Sequence, residues 1–344
     1  MSHLIVPFFV SMVLALVATP LVRLLAIKVD LVDVPKDDRR MHNKPMPIAG
    51  GLAIALAFFV SYCLFIPKTK ESLALALGSG IILLTGLYDD KYNMKARTKF
   101  ALQLVAAAVL VGGGVKIDFF TNPFYGKDPL IYLQFLSIPI TIFWIAGITN
   151  TINLIDGLDG LACGISGIAA VALMFVAHRY QQSPIAVLSA ILAGSCLGFL
   201  PYNFNPAKIF MGDTGALFLG FVLAYITIEG VMKSIALIAL FIPVLILGVP
   251  IFDTTFAMIR RKLSGHSIAQ ADKGHLHHRL LQRGLSQKKT VLSLYAVSIV
   301  FGIIGNIVST MHEKNALIMT IIIFGAVGIL ATIFGLLKEL GDHQ

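Results

Sequence analysis

Residues 131–177 read IYLQFLSIPITIFWIAGITNTINLIDGLDGLACGISGIAAVALMFVA, two long apolar runs joined by a short polar seam. The runs, 131–149 and 158–177, each approach the roughly 20 residues that a helix needs to cross the hydrocarbon core of a bilayer. Between and beside them Asn150, Asn153, Asp156 and Asp159 recur at every third position. That spacing keeps side chains near one face of a helix, and Gly157 and Gly160 let a backbone or a ligand come close. Carboxylates beside lipid are costly and usually functional. A polar strip satisfied by neighbouring helices is the blander reading, because buried amides also tie membrane helices together. Two carboxylates and two amides on one stripe suit a divalent cation with phosphate or sugar hydroxyls better.

The same alternation of apolar run and short link fills all 344 residues, which are 57% hydrophobic and 13% charged. The charged fraction is about half that of ordinary soluble domains, which argues against a soluble all-α enzyme. The pattern predicts an all-α, polytopic integral membrane protein of ten to eleven transmembrane helices. Eleven runs are counted, at 4–27, 48–66, 72–88, 99–115, 131–149, 158–177, 184–200, 214–229, 234–252, 291–311 and 316–337. No long polar linker divides them, so residues 1–344 read as a single membrane-embedded domain. The first run is too long for a signal-peptide core and has no basic stretch before it. It therefore reads as a retained span with the N-terminus outside. Cys63, Cys163 and Cys196 all lie inside apolar runs and make no disulfide framework.

Charge sets the sidedness. Links 23–47, 89–99, 150–157, 201–213 and 253–290, with the C-terminal tail, carry 20 of the 27 Lys and Arg; links 67–71, 116–130, 178–183, 230–233 and 312–315 carry 7. The positive-inside rule makes the first set cytoplasmic, with the C-terminus. The expected location is the inner (cytoplasmic) cell membrane, with active-site loops 28–47, 89–99, 150–160, 201–214 and 253–290 facing the cytoplasm. A net charge of +9 needs no nucleic-acid partner; it is mostly this topology signal plus attraction to anionic lipid and substrates.

Three more motifs fall on the cytoplasmic side. Asp89 and Asp90 close the third run in G-L-Y-D-D-K, and adjacent carboxylates repel unless a cation sits between them or one is protonated. Lys91, Lys95, Arg97 and Lys99 follow, able to neutralise them or hold phosphate, unless they are only topology charges at a membrane boundary. Asp213 and Thr214 in F-M-G-D-T-G stand where either caps a helix start, a place that also favours anions. Asn203 and Asn205 precede them in P-Y-N-F-N-P-A. In D-K-G-H-L-H-H-R-L, His275, His278 and Arg279 share a helical face while His277 points elsewhere. An anion-binding face fits this cluster better than zinc, whose helical ligands usually sit four apart.

Together these residues resemble the polyprenyl-phosphate N-acetylhexosamine-1-phosphate transferases. The match runs over nearly the whole chain, through G-L-Y-D-D, N-x-x-N-L-I-D-G-L-D-G-L, N-F-N-P-A-K-I-F-M-G-D-T-G and D-K-G-H-L-H-H-R-L in that order. The closest branch looks like the bacterial undecaprenyl-phosphate N-acetylglucosaminyl-1-phosphate transferases that start teichoic acid or O-antigen chains. The resemblance implies transfer of GlcNAc-1-phosphate from UDP-GlcNAc to undecaprenyl phosphate, giving UMP, with Mg2+ (or Mn2+) as cofactor. It implies catalytic roles for Asp89, Asp90, Asp156, Asp159 and Asp213, with metal at Asp213, Asp156 and Asp159. Substrate contacts fall to Lys91, Lys99, Asn153, Asn203, His275, His277, His278 and Arg279. The implied partners are both substrates and the lipid bilayer, and the family is compatible with a homodimer. The phospho-N-acetylmuramoyl-pentapeptide-transferring cousin typically carries a histidine run after proline, where this chain has Gly274. A CDP-alcohol phosphotransferase lacks support because Cys163-Gly164 replaces its Ala-Arg pair. An ion-coupled transporter would hold its site near the bilayer midplane rather than at one face.

Overall fold

A computed structural model describes residues 2–33, 45–121, 130–232, 241–266, 274–333 and 336. The chain is almost wholly helical: α1 (Ser2–Lys28), α2 (Gly50–Phe65), α3 (Lys70–Tyr92), α4 (Ala96–Gly112), α5 (Ser137–Ile155), α6 (Leu161–Arg179), α7 (Ser183–Asn203), α8 (Gly212–Thr227), α9 (Phe241–Ile246), α10 (Gly248–Leu263), α11 (Leu276–Gln282), α12 (Gln287–Val308) and α13 (Glu313–Ile333). Among the described residues strand is limited to two short antiparallel ribbons, β1 (Val32–Asp33) with β2 (Met46–Pro47) and β3 (Phe119–Thr121) with β4 (Leu130–Tyr132).

Among the described residues eight helices are long and apolar enough to cross a membrane: α1, α3, α5 with its leading 3-10 turn, α6, α7, α8 with its trailing π-turn, α12 and α13. The chain is a multi-pass membrane protein. The other three expected spans differ for local reasons. The run 48–66 becomes α2, apolar but only 16 residues long. The run 99–115 becomes α4, which starts earlier and takes Arg97 and Lys99 into its first turn. The run 234–252 begins outside the described residues, and its remainder breaks at Leu247 between α9 and α10. Pro250 explains the break, since its ring clashes with the carbonyl four residues back, here that of Ile246. Residues 34–44, 122–129 and 267–273 of the expected loops also lie outside the described set.

Two expected links are helical. α3 continues through Asp89 and Asp90 to Tyr92, and α5 continues through Asn150 and Asn153 to Ile155. Thr149 Oγ1 and Asn150 Nδ2 donate to the carbonyls of Ile145 and Ala146, satisfying polar side chains within the helix itself.

α8 organises the bundle. It is apolar on all sides and packs against α2, α3, α5 and α6, as a helix without a polar face must. At its start three backbones nearly touch. A Cβ on Gly51 of α2 would lie 2.0 Å from the Gly215 nitrogen, and one on Gly86 of α3 would lie 2.4 Å from Thr214 Cα. Extended chain locks the same point: Phe210 N donates to Pro47 O (2.9 Å), and Gly50 N and Gly51 N donate to the carbonyls of Phe210 and Met211 (2.9 Å each). At the periphery α1 and α13 leave wide apolar faces open, with Leu21 64% and Ile333 70% exposed. Such surface is costly in water and costs nothing in lipid.

Candidate active site

The end of α3 meets the beginning of α8. Helix starts leave backbone N–H groups without partners, and here a carboxylate from another helix satisfies them. Asp90 accepts from Asp213 N (2.8 Å), Thr214 N (3.1 Å) and Thr214 Oγ1 (2.5 Å). Neither Asp213 nor Thr214 caps α8 with its own side chain, contrary to the expectation from sequence. Asp90 does the capping, and this engagement turns its carboxylate toward the fold rather than toward a substrate.

Freed from capping, Asp213 projects into a cluster. Lys99 Nζ donates to Asp89 Oδ2 (2.8 Å) and to Asp213 Oδ2. Asn153 Nδ2 donates to Asp213 Oδ1 (2.7 Å). Asp89 is held in turn by Met94 N at its Oδ1 (2.5 Å). Four helices thus converge: α3 supplies Asp89, α4 Lys99, α5 Asn153 and α8 Asp213. One ammonium between a buried carboxylate, Asp89, and a half-buried one, Asp213, balances charge that repulsion would otherwise drive apart. Asn150 belongs to the layer beneath, donating to Gln103 Oε1 (2.5 Å).

Asp156 is the C-cap of α5 and is partly buried. Burial raises its carboxyl well above the usual range, and Asp213, Asp90 and Asp159 push it further in the same direction. Its side chain accepts no hydrogen bond from any described residue, unlike the other four aspartates. The next residue meets the histidine motif: a Cβ on Gly157 would lie 2.5 Å from His277 Nε2. His277 is 2% exposed and its Nε2 has no hydrogen-bond partner. Burial lowers its pKa to about 4, with neighbouring His278 adding to the effect, so the ring is neutral near pH 7. His275 is fixed from below by Asp253 of α10, whose carboxylate contacts His275 Nδ1 (3.0 Å) and accepts from Leu276 N (2.7 Å).

Asp253 was missed from the sequence as a site residue. Its signal was a single acid in the apolar stretch V-P-I-F-D-T-T-F; the pairing with a histidine 22 positions on needs tertiary contact. Other candidates stand aside from the Lys99 cluster. Asp159 Oδ2 accepts from Asn205 Nδ2 (2.9 Å) and Ala207 N (3.1 Å), which pins the loop after α7. Asn203 is buried, with Nδ2 donating to Ile209 O (3.1 Å). Lys91 is exposed, with its ammonium 5.8 Å from the Tyr92 ring centre. Arg279 is buried and donates from Nε to Gly274 O (3.0 Å). The His278 ring lies tilted against that of His277, with ring centres 4.2 Å apart and planes at 42°.

No three acidic, histidine or cysteine side chains among the described residues form a ready-made metal cage. The donor chemistry nevertheless fits a hard cation. Asp156 offers a carboxylate that accepts no hydrogen bond from a described residue, in a field of other carboxylates, Asp213 foremost, that a divalent ion would relieve.

Residues 72–231, which hold all five aspartates, match the family model described as Glycosyl transferase family 4. The chain is 42% identical over 340 residues to the "Probable undecaprenyl-phosphate N-acetylglucosaminyl 1-phosphate transferase" of Bacillus subtilis (strain 168), covering 98% of this chain and 94% of that protein. It is 36% identical over 357 residues to the decaprenyl-phosphate N-acetylglucosaminephosphotransferase of Mycobacterium tuberculosis (strain ATCC 25618 / H37Rv), covering 95% and 87%. A third relative, the phospho-N-acetylmuramoyl-pentapeptide-transferase of Shouchella clausii (strain KSM-K16), is 30% identical over 297 residues, covering 79% and 86%.

Proposed function

The chain belongs to glycosyl transferase family 4, and on that premise we propose that it transfers GlcNAc-1-phosphate from UDP-GlcNAc to undecaprenyl phosphate, releasing UMP. The reaction is the first membrane step of a cell-envelope glycopolymer such as teichoic acid or O-antigen. The observation that carries this reading is the convergence of Asp89, Lys99, Asn153 and Asp213 from four helices, with the Asp156–Gly157 turn and His277 alongside. Family membership favours a transferase over an ion-coupled transporter. The fourfold match to the motifs, ending in His275-Leu276-His277-His278, favours the GlcNAc branch over the muramoyl-pentapeptide one.

Phosphoryl transfer between two anions depends on charge neutralisation and in-line alignment. An oxygen of the prenyl phosphate attacks the β-phosphorus of UDP-GlcNAc. The bond from that phosphorus to the bridging oxygen breaks, and UMP leaves with the electron pair. The prenyl phosphate needs little help to ionise, because its second pKa is about 6. Asp89 keeps Lys99 in place, and the Lys99 ammonium offsets the phosphate charge. Asn153 fixes the rotamer of Asp213. Asp90 holds the start of α8 and so the position of Asp213. Mg2+, or Mn2+, would be held by Asp213 and Asp156, with Asp159 behind them, and would supply electrophilic neutralisation of the diphosphate. The His275–Arg279 segment faces the sugar nucleotide, with Asp253 as its support. The charge bias of the links supports an active site on the cytoplasmic face, an external N-terminus and an inner-membrane location.

The test is direct. Purified protein, labelled donor, undecaprenyl phosphate and Mg2+ should yield label in the organic phase and UMP in equal amount. A panel of UDP-GlcNAc, UDP-GalNAc and UDP-MurNAc-pentapeptide should show UDP-GlcNAc preferred. Failure to release UMP from any of them would refute the reading. Asp213→Asn should abolish UMP release while the protein stays folded in detergent.

A further inference from the structure

α12 packs along α6, and its first turns reach the link between α5 and α6 that carries Asp156, Gly157 and Asp159. Tyr295 Oη donates to Gly160 O (2.5 Å). Gln287 Oε1 accepts from Asn205 Nδ2 (2.7 Å), and the same amide donates to Asp159 Oδ2 (2.9 Å). Gln287 and Tyr295 are a little over two turns apart at about 3.6 residues per turn, so they stand on one side of α12.

The backbone is shaped to admit the tyrosine. A Cβ on Gly164 would lie 2.0 Å from Tyr295 Oη and 2.1 Å from its Cζ, so glycine keeps that slot open. Gly160 adopts φ +80° at the start of α6, a conformation that glycine takes at little cost. A carbonyl has two lone pairs. At Gly160 O one meets Gly164 N (2.9 Å) and the other meets Tyr295. The ring also borders an apolar cavity of about 670 Å3 between α6, α7 and α12. Packing therefore encloses it incompletely, and the hydrogen bond fixes its link to the turn.

We propose that Tyr295, supported by Gln287, is a positioning residue for the transfer reaction: it holds the 156–160 turn where the Asp156 carboxylate meets a divalent cation. The inference rests on the transferase reading with Asp156 as a metal ligand. Asp156 opens the turn as the C-cap of α5, and Gly160 closes it as the N-cap of α6. Asp159, inside the turn, is tied to α12 through Asn205. α12 thus grips the turn at its far end and within it, which leaves little freedom to the acid at its near end. The histidine segment shares this support, because α11 ends at Gln282 and α12 starts at Gln287. Tyr295 acts through the backbone of the turn, not on the Lys99 cluster.

The experiment uses the full-length protein in detergent and compares wild type, Tyr295→Phe, Gln287→Ala and Ser298→Ala. The first variant deletes one oxygen and keeps the ring. The last is a control about one turn along α12, where a buried hydroxyl has no hydrogen-bond partner among the described residues. Two Mg2+ titrations are read: UMP release, and unfolding temperature without substrate. Loss of a partner behind a metal ligand costs about ten- to a hundredfold in affinity or activity. In Tyr295→Phe the Mg2+ midpoint should rise about tenfold in both titrations, with the KM for undecaprenyl phosphate unchanged within about twofold. Gln287→Ala should shift the midpoint the same way by less, and Ser298→Ala should leave it in place. A Tyr295→Phe protein of lower unfolding temperature but unaltered Mg2+ midpoint overturns the proposal, because the contact is then structural only. An equal shift in Ser298→Ala overturns it too, as does a wild type whose unfolding temperature ignores Mg2+. The unfolding titration needs no turnover, so its outcome is distinct from failure of the transferase reading, which falls if wild type releases no UMP from any donor.

Discussion

Replacing Asp90 by Asn separates a positioning role from a chemical one. The carboxylate accepts three hydrogen bonds from the first turn of α8, at 2.8, 3.1 and 2.5 Å. The amide retains one acceptor oxygen and turns an NH2 group toward N–H donors, so at least one of the three bonds is lost. A hydrogen bond to a charged group contributes about 1.5–3 kcal/mol, and loss of a helix cap costs about 0.5–2 kcal/mol. The expected destabilisation is ~2 kcal/mol, a fall of roughly 4 °C in unfolding midpoint for a mid-sized domain. Asp213 follows Asp90 directly through its own backbone N–H. A shift of about 1 Å in a catalytic group can cost about a hundredfold in rate, so kcat should fall about ten- to a hundredfold and remain measurable. The assays are UMP release and thermal unfolding on the same preparation. A variant as stable as wild type with no residual turnover would refute the argument and return Asp90 to the chemistry.

Asp156→Asn removes a carboxylate whose charge is disfavoured by burial and three neighbouring acids. Without divalent ion the variant should be at least as stable as wild type. It should also lose most of the Mg2+-dependent rise in unfolding temperature, which is read by calorimetry and needs no turnover. Gly157→Ala places a methyl 2.5 Å from His277 Nε2; kcat/KM for UDP-GlcNAc should fall about tenfold or more, by analogy with overpacking costs of about 1–3 kcal/mol. His277 predicts a pH effect. Its folded pKa, about 4, is below its ordinary 6.5, so between those values the unfolded chain binds the extra proton. Its contribution to stability is intact above 6.5 and is lost as pH falls toward 4. Unfolding midpoints measured across that window should decline less steeply in His277→Asn than in wild type.

The apolar runs were legible because a helix in lipid needs length and apolarity more than detail. Eight of them appear as helices long enough to span, and Asp89 and Asp213 meet at Lys99 with Asp90 on the adjoining backbone of α8. The breaks were less legible. Pro250 was visible, yet its effect depends on whether the helix it interrupts would otherwise run on. Asn150, Asn153 and Asp156 were read as one stripe, and the structure divides it: Asn150 turns to Gln103, Asn153 to Asp213, and Asp156 ends the helix. Asp159 shared the spacing but lies beyond the helix end, where it pins the loop at Asn205 and Ala207.

Composition and periodicity alone decided that this is a multi-pass helical membrane protein whose acids belong at the ends of its apolar runs. Both follow from solvation, which acts on each segment independently of the others. Which carboxylate does what was decided only by the packing of α3, α4, α5 and α8. Asp89 and Asp90 are neighbours of the same chemical type, and nothing local distinguishes them. They face opposite tasks because a helix turns about 100° per residue. One side chain therefore meets Lys99, and the other meets the backbone of α8 where Gly51 and Gly86 let three helices come within touching distance.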